Sequence, residues 1–204
     1  MRIAAPVLTV TTLLICPAPE AFAAGGASFD CAAATTVAER GICAAPPLAM
    51  LDGVLGGLYA RAKAAPGAPA TLTEDQRAWM ARRDDCWKTG APELCAKQEY
   101  VKRIAALAAG GPAVIGDAPI VGPLAVTCDE IDAPMAAVFI NTDPGFLSLA
   151  WGDMSLVLNQ TISASGARFS DEDDGGHYIF WEKGREATFE GPALMAPAQC
   201  TLAE

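Results

Sequence analysis

The 204-residue chain is poor in the residues from which metal centres and hydrolase sites are built. It has one histidine, His177, and no Cys-x-x-C pair, so the ligand spacing typical of a protein zinc site is missing. It also lacks a nucleophile-elbow motif, and a lone histidine without a nearby nucleophile does not make a catalytic site. These absences predict a protein that is not an enzyme and that uses no metal and no small-molecule cofactor.

Long apolar runs are missing as well. No segment approaches the ~20 uninterrupted apolar residues that a transmembrane helix requires. The first residues instead have the pattern of a secretory signal: Arg2 precedes a short apolar run over Ile3–Ile15, and Ala21-Phe22-Ala23 forms a small-x-small cleavage site. We expect residues 1–23 to be a signal peptide, cleaved near Ala23/Ala24, and the mature protein to be periplasmic.

Cys16 offers an alternative fate, in which a lipid-modified cysteine anchors the protein to a membrane. Signal cleavage before such a cysteine requires a small residue ahead of it, whereas Cys16 stands between Ile15 and Pro17. The sequence therefore favours a soluble mature protein over membrane anchoring through Cys16.

Basic residues are scarce in the second half of the chain. From Ala24 to Pro119 there are ten acidic and ten basic residues, but from Ile120 to Glu204 thirteen acidic residues face only three basic ones. This sign excludes nucleic acid as a natural partner, because phosphate binding requires positive charge. The excess acidity is explained either by solubility or by a basic protein partner that the long-range field attracts.

Removal of the signal would leave an even number of cysteines. They are Cys31, Cys43, Cys86, Cys95, Cys128 and Cys200. In an exported chain six cysteines predict disulfides, with 15 possible complete pairings. Cys31 and Cys43 bracket a short predicted helix, and Cys86 and Cys95 flank a predicted turn, so local pairing is natural, although the sequence leaves the other pairings of these four open.

The first half of the chain has the periodicity of helices. Pro46 and Pro47 suit a helix start, and apolar residues recur after them at three- and four-residue spacing: Leu48, Leu51, Leu55, Leu58 and Ala62. Thr73 and Gln76 have the spacing of a capping box for a second helix. Arg82-Arg83-Asp84-Asp85 reads as the solvated face of that helix.

The second half changes to short runs punctuated by turns, after a Gly- and Pro-rich stretch at 108–123 that reads as a linker. About eight short strands follow, and Cys128 on the first and Cys200 on the last could tie the ends together. We therefore predict two domains: a small disulfide-stapled α-helical domain at 24–107 and a small antiparallel β-barrel at 124–204.

Two motifs in the predicted barrel resemble those of the membrane-bound and periplasmic inhibitors of c-type lysozyme (MliC/PliC-like). They are Ser163-Ala164-Ser165-Gly166-Ala167-Arg168-Phe169 and Trp181-Glu182-Lys183-Gly184-Arg185-Glu186-Ala187. The resemblance implies an eight-stranded barrel closed by a disulfide, and it implies c-type lysozyme as the partner.

The same resemblance implies which residues bind. The serine and the lysine of the two motifs, Ser165 and Lys183, would enter the lysozyme cleft, with Gly166, Arg168 and Gly184 beside them. Phe169 departs from the family, which usually has tyrosine there. The loop 171–176 is also longer and more acidic than usual.

The helical half resembles the LprI-type lysozyme-inhibitor domain. The resemblance rests on Ser28-Phe29-Asp30-Cys31, Glu39-Arg40-Gly41-Ile42-Cys43, Leu51-Asp52, Gln76-Arg77-Ala78-Trp79, Arg82-Arg83-Asp84-Asp85-Cys86 and Cys95. What it implies about the activity of this half is weaker than for the barrel.

Each motif also has a purely structural explanation. Ser-Gly and Lys-Gly pairs are common in hairpin turns, and Lys183 could simply balance Glu182 or Glu186 at the surface. Trp181 reads as a core or barrel-lid residue. The alternative function is that of an envelope protein that binds peptidoglycan or another periplasmic protein without inhibiting lysozyme.

Overall fold

The computed structural model describes residues 26–203. The predicted signal peptide 1–23 and Cys16 lie outside the described residues. The described chain begins with helices and ends with strands, in the order that the sequence predicts.

Five α-helices form the first part of the structure. They are α1 Val37–Ala44, α2 Pro46–Ala64, α3 Leu72–Asp85, α4 Pro92–Ala108 and the single turn α5 Pro112–Ile115. Short 3-10 helices at Cys31–Ala33 and Cys86–Lys88 adjoin α1 and α3. Within residues 26–203, no single helix is both long and apolar enough to cross a membrane, although α1 and α2 together reach that length and composition across a 108° bend.

The helix α2 starts at Pro46 and Pro47 and buries the apolar residues that the periodicity selects. Its glycines serve close packing. A Cβ on Gly56 would collide with Ser28, and one on Gly53 would collide with the carbonyl oxygen of Gly26. The N-terminal segment can therefore lie directly against α2.

Helix α3 begins earlier than its predicted capping box. Its first residue is Leu72 and its N-cap is Thr71, so Thr73 lies inside the helix. Gln76 does not reach back to the helix start; its side chain is buried and accepts a hydrogen bond from Arg103. A capping box is found instead at the start of α1, where the side chains of Thr36 and Glu39 form it.

Eight antiparallel strands then close into a barrel. They are β1 Ile120–Cys128, β2 Ile131–Ile140, β3 Phe146–Trp151, β4 Met154–Thr161, β5 Ala167–Ser170, β6 Ile179–Lys183, β7 Glu186–Glu190 and β8 Ala198–Leu202. Each strand pairs with its neighbours in sequence, and β8 pairs with β1. The predicted fold class, a disulfide-stapled helical region followed by an eight-stranded antiparallel barrel, is confirmed.

The helices pack on the outside of the barrel, where α4 contacts the first four strands. Five barrel residues that point away from the barrel interior join the helical apolar cluster: Ile120, Val138, Ile140, Phe146 and Val157. Both faces of the sheet are thus buried at this place. This explains why buried residues follow one another without alternation at the end of β2 and at the start of β3.

The segment 108–123 is more structured than the predicted linker. It contains α5 and the first four residues of β1, which starts at Ile120. Val114 is buried in the helical cluster, and Arg61 of α2 donates hydrogen bonds to the carbonyl oxygens of Val114 and Ile115. Small residues can supply backbone acceptors and tight contacts that leave no periodic pattern in the sequence.

The disulfides join Cys31 to Cys43, Cys86 to Cys95, and Cys128 to Cys200. The first two are local, as the bracketing positions suggested. The third joins β1 to β8, where Cys128 and Cys200 are direct cross-strand partners.

Arg83 lies at the centre of a buried polar network, so it is not part of a solvated helix face. Its guanidinium is 3.7 Å from the Asp52 carboxylate and donates a hydrogen bond to Tyr100 Oη. Asp52 also accepts hydrogen bonds from Tyr100 Oη at 2.7 Å and from the Ser28 backbone and hydroxyl. Burial and then the Asp52 charge raise the pKa of Tyr100, which keeps it a neutral donor.

Candidate functional site

Successive loops of the barrel alternate between its two ends, because every strand runs antiparallel to the one before it. The loop 162–166 and the turn 184–185 open at one end, which we call the motif end. The loops 129–130, 152–153, 171–178 and 191–197 open at the opposite end, the far end.

The two motifs are neighbours at the motif end because β5 and β6 are paired. Ala167 is the cross-strand partner of Glu182, and Arg168 is the partner of Trp181. The residues just before β5 therefore lie beside the residues that end β6. Ser165 and Lys183 are both exposed there.

The loop 162–166 lies against the end of β6. Gly166 has a φ of +66°, and a Cβ at this position would collide with the carbonyl oxygen of Glu182. Only glycine fits both demands without strain. The Ser163 hydroxyl donates a hydrogen bond of 2.7 Å to the carbonyl oxygen of Ser165, which folds the loop on itself.

Lys183 ends β6 next to a tight turn, where Gly184 has a φ of +76°. Among the described residues, Lys183 makes no ion pair with Glu182 or with its cross-strand partner Glu186. The Glu182 carboxylate accepts a hydrogen bond from the Gly184 backbone. The Lys183 ammonium instead lies 3.8 Å from the centroid of the Trp181 ring. Its hydrogen-bonding capacity is therefore available to an incoming acceptor.

Arg168 lies on β5 itself and is held by neighbouring side chains. Its guanidinium donates to the Thr161 hydroxyl at 2.9 Å and to the Glu172 carboxylate at 2.8 Å. The hydrogen bond from Arg168, and then its positive charge, lower the pKa of Glu172. Arg168 thereby fixes the base of the loop whose tip contains Ser165.

Phe169, which replaces the usual tyrosine, points into the barrel. It is 2% exposed and packs against Phe139. The hydroxyl that this position lacks would lie among apolar side chains, away from the exposed groups of the motif end.

Acidic residues concentrate at the far end. Its loops contain Asp129, Glu130, Asp153, Asp171, Glu172, Asp173 and Asp174. Asp174 is bound by Lys97 of α4 at 2.7 Å, and Lys97 also donates to Asn159 of β4. The long acidic loop is thus attached to the helical region.

Three residues of this arrangement were not recognised from the sequence. Trp181, expected as a core or barrel-lid residue, is half-buried; it contacts Lys183 of its own motif and donates a hydrogen bond to Ser165 of the other. Its position two residues before Lys183 was a usable signal, since residues two apart on a strand share a face. Nothing in the sequence pairs Lys97 with the acidic loop, and nothing marks Arg83 as the buried arginine of its pair.

The motif end lies in a segment that is similar to a described protein family. Residues 126–193 match the family model "Membrane-bound lysozyme-inhibitor of c-type lysozyme". A curated relative is the "Membrane-bound lysozyme inhibitor of C-type lysozyme" of Escherichia coli K12, 44% identical over 61 residues, or 30% of this chain. The chain spans about half the length of that relative.

A solved structure, that of Pseudomonas aeruginosa MliC in complex with hen egg white lysozyme, is 28% identical. That comparison covers 43% of this chain and 88% of the MliC chain, with a TM-score of 0.35. Both motifs, with Ser165 and Lys183, lie inside the segment that matches the inhibitor family model.

Proposed function

We propose that this protein inhibits c-type lysozyme and that the motif end of its barrel plugs the active-site cleft of that enzyme. The observation that carries the proposal is the juxtaposition of Ser165 and Lys183, both exposed, within the segment that matches the inhibitor family. In this role the protein is a binding protein and not an enzyme. It is located in the periplasm and protects the cell wall from lysozyme.

The chemistry of the proposed target suits these two side chains. A retaining glycosidase of the lysozyme type uses two carboxyl groups about 5 Å apart, one ionised and one protonated. The Lys183 ammonium can donate to the ionised group. The Ser165 hydroxyl can both donate and accept, as the protonated group requires. The thin glycine turns at 166 and 184 let this end of the barrel enter a cleft.

Ile162 extends the contact surface. Its side chain is fully exposed on the same loop as Ser165, at 100% relative accessibility. A large apolar side chain beside two polar ones has the composition of an interface centre, where apolar anchors surround the specific hydrogen bonds. We include Ile162 with Ser165, Gly166, Lys183 and Gly184 in the proposed contact set, with Arg168 supporting the loop.

The charge distribution predicts only a limited role for electrostatic steering of the partner toward this protein. The net charge of −10 attracts a basic partner, but most acidic loops open at the far end, away from Ser165 and Lys183. We expect salt to slow association through long-range screening while leaving the short-range contacts of Lys183 intact.

We also propose a division of labour between 24–107 and 124–204, in which the barrel makes the contacts with lysozyme and the helical region supports it from outside. The family match lies within the barrel, so the resemblance of the helical region to the LprI-type domain stays a prediction.

The decisive experiment measures affinity for a purified c-type lysozyme and inhibition of its cell-wall hydrolysis. Lys183→Ala should weaken binding by about 2 kcal/mol or more, or roughly thirtyfold, because a carboxylate of the enzyme would be buried without its partner. Ser165→Ala should cost about 1 to 2 kcal/mol, since it removes a neutral hydroxyl.

Arg185→Ala is the matched control, because it removes the same charge from the adjacent turn. It should cost under ~1 kcal/mol as a rim residue. Melting curves of all three variants should be compared with that of the parent first, so that lost folding is not mistaken for a lost contact with lysozyme. If Lys183→Ala binds lysozyme as tightly as the parent, the plug mechanism is wrong. If the parent binds peptidoglycan or another envelope protein but not lysozyme, the alternative function replaces inhibition.

A further inference from the structure

Trp181 connects the two motifs physically. Its indole Nε1–H donates a hydrogen bond of 2.8 Å to the carbonyl oxygen of Ser165. The face of the same ring lies 3.8 Å from the Lys183 ammonium. One side chain therefore touches the serine loop with its edge and the lysine with its face.

The strand geometry explains this placement. Phe180 points into the barrel and is fully buried, so Trp181 points outward on β6. Lys183, two residues further, shares the outer face, which brings its ammonium over the ring. The cross-strand partner of Trp181 on β5 is Arg168, which is hydrogen-bonded to Thr161 and Glu172. The indole of Trp181 is therefore available to the loop 162–166.

We infer that Trp181 is a positioning residue that orders Ser165 and Lys183 before the target arrives. The inference rests on the proposed function and deepens it. An exposed lysine on a flexible stem and a serine on a five-residue loop would each lose conformational freedom on binding. Contacts already made in the free protein remove part of that cost, so the complex gains affinity without any new contact.

The two contacts of Trp181 differ in what they require. The hydrogen bond to Ser165 requires the indole N–H, which phenylalanine lacks. The contact with Lys183 requires an aromatic face, which phenylalanine retains in a weaker form and leucine lacks. Trp181→Phe and Trp181→Leu in the full-length protein therefore separate the two functions of the side chain.

The free protein supplies the first readout. In the parent, the ring should shift the NMR signals of the Lys183 side-chain methylene next to the ammonium upfield. Trp181→Phe should keep most of that shift but increase the backbone mobility of residues 162–166. Trp181→Leu should abolish the shift and mobilise the loop as well.

Affinity for c-type lysozyme supplies the second readout. Trp181→Phe should weaken binding about fivefold to tenfold, the equivalent of one hydrogen bond. Trp181→Leu should weaken it further. In a double-mutant cycle with Lys183→Ala, the two losses should be less than additive, because Trp181 acts partly through Lys183. A merely structural tryptophan would instead give additive losses.

Trp151→Phe is the matched control. Trp151 is also half-buried on the barrel, but it ends β3 beside the far-end turn and packs against Phe189. It should leave loop mobility, the Lys183 signals and lysozyme affinity unchanged.

Two outcomes overturn the inference, and they are distinguishable. If Lys183→Ala weakens binding but Trp181→Phe neither mobilises the loop nor changes the affinity, Trp181 is not a positioning residue, while the plug mechanism stands. If the parent does not bind lysozyme, the proposed function fails and the inference fails with it, whatever the NMR signals show.

Discussion

The apolar cluster inside the barrel consists of residues from the strands and their loops, whereas the cluster of the helical region includes five residues of the barrel's outer face. The barrel interior would therefore remain complete without the helices. The helical core would not remain complete without the barrel. The two regions are unequal partners, and the helical region depends on the barrel for its packing more than the reverse.

The two regions also differ in how polar groups and cross-links secure them. The helical region buries the Asp52–Arg83–Tyr100 network and has two local disulfides. The barrel has an apolar interior and one disulfide that joins its first and last strands. Damage to the helical region should hence stay local to it, whereas damage to the barrel closure should affect the proposed binding site.

The largest effect is expected from Asp52→Ala. The substitution leaves Arg83 buried without its carboxylate and leaves Tyr100 Oη and Ser28 without their acceptor, which should destabilise the helical region by about 3 to 5 kcal/mol. Native-state hydrogen exchange should show faster exchange in α2 to α4.

The barrel amides should change less in the same Asp52→Ala experiment. Asp84→Ala is the control, since Asp84 also binds Arg83 but from a largely exposed position. Equal loss of protection in helices and strands would show that the two regions unfold as one unit and that the barrel is not independent of the helices.

Removal of the disulfides should cause the next largest losses of stability. The bridge that closes the longer loop should cause the larger of these losses. Replacing Cys128 and Cys200 by serine opens a separation of 72 residues, worth about 4 kcal/mol in the chain-entropy model. Replacing Cys31 and Cys43 opens a separation of 12, worth about 3 kcal/mol. Denaturant unfolding of the two double variants measures both values.

The two double variants should also differ in function. Loss of the Cys128–Cys200 bridge should weaken lysozyme binding, because the motif end belongs to the barrel that this bridge closes. Loss of the Cys31–Cys43 bridge should leave binding unchanged at temperatures where the protein stays folded. The reverse pattern would assign the binding site to the helical region.

The sequence predicted the parts of the fold that local patterns encode. The apolar periodicity after Pro46 identified the buried face of α2, and the turn-punctuated second half indicated the strand-rich barrel. The bracketing positions of the cysteines suggested the pairs found in the structure. Such features depend on spacing along the chain, so a single sequence displays them.

Contacts between segments that are distant along the chain could not be predicted from the sequence. The helical region packs on the outside of β1 to β4, but the apolar run of β2 and the mostly apolar β3 are equally typical of any strand buried on both faces. Arg82 and Arg83 are adjacent and chemically identical, and only the direction of α3 decides which one is buried. The Thr73–Gln76 spacing was a false capping box because the helix had already begun.

The candidate site divides in the same way. Motif resemblance pointed to Ser165 and Lys183, and the pairing of β5 with β6 explains why they are neighbours. The contacts of Trp181 could not be predicted, because an aromatic residue on a strand is typical of a core or barrel-lid position and the hydrogen bond to Ser165 joins residues 16 apart in the chain.

A smaller effect is expected where the two regions meet. Lys97→Met keeps the apolar stem but removes the ion pair with Asp174 and the hydrogen bond to Asn159, which should cost about 1 to 2 kcal/mol. Hydrogen exchange should accelerate in the loop 171–176. Lys88→Met, which breaks the exposed pair with Asp85, should change little and serves as the control. If Lys97→Met leaves the loop unchanged, the acidic loop does not depend on the helical region.

The smallest effect concerns acid, and it again separates the two regions. In the helical region, hydrogen bonds from the Thr36 and Thr35 backbone lower the pKa of Glu39 from about 4.5 to about 2. In the barrel, Arg168 lowers the pKa of Glu172. A carboxylate whose pKa is lowered in the folded state stabilises that state at pH values above the ordinary pKa of the group. This stabilisation is lost as the pH falls through the pKa of the folded state. Protection of the α1 amides should therefore decline between pH 4.5 and 2, and Glu39→Gln should flatten that decline.

Salt should distinguish the two carboxylates, because it screens an exposed ion pair more than a hydrogen bond to backbone amides. Raising ionic strength should weaken the acid response that Glu172→Gln removes but leave the response of Glu39 in place. Equal sensitivity of both responses to salt would mean that Glu39 acts through general charge and not through its capping box.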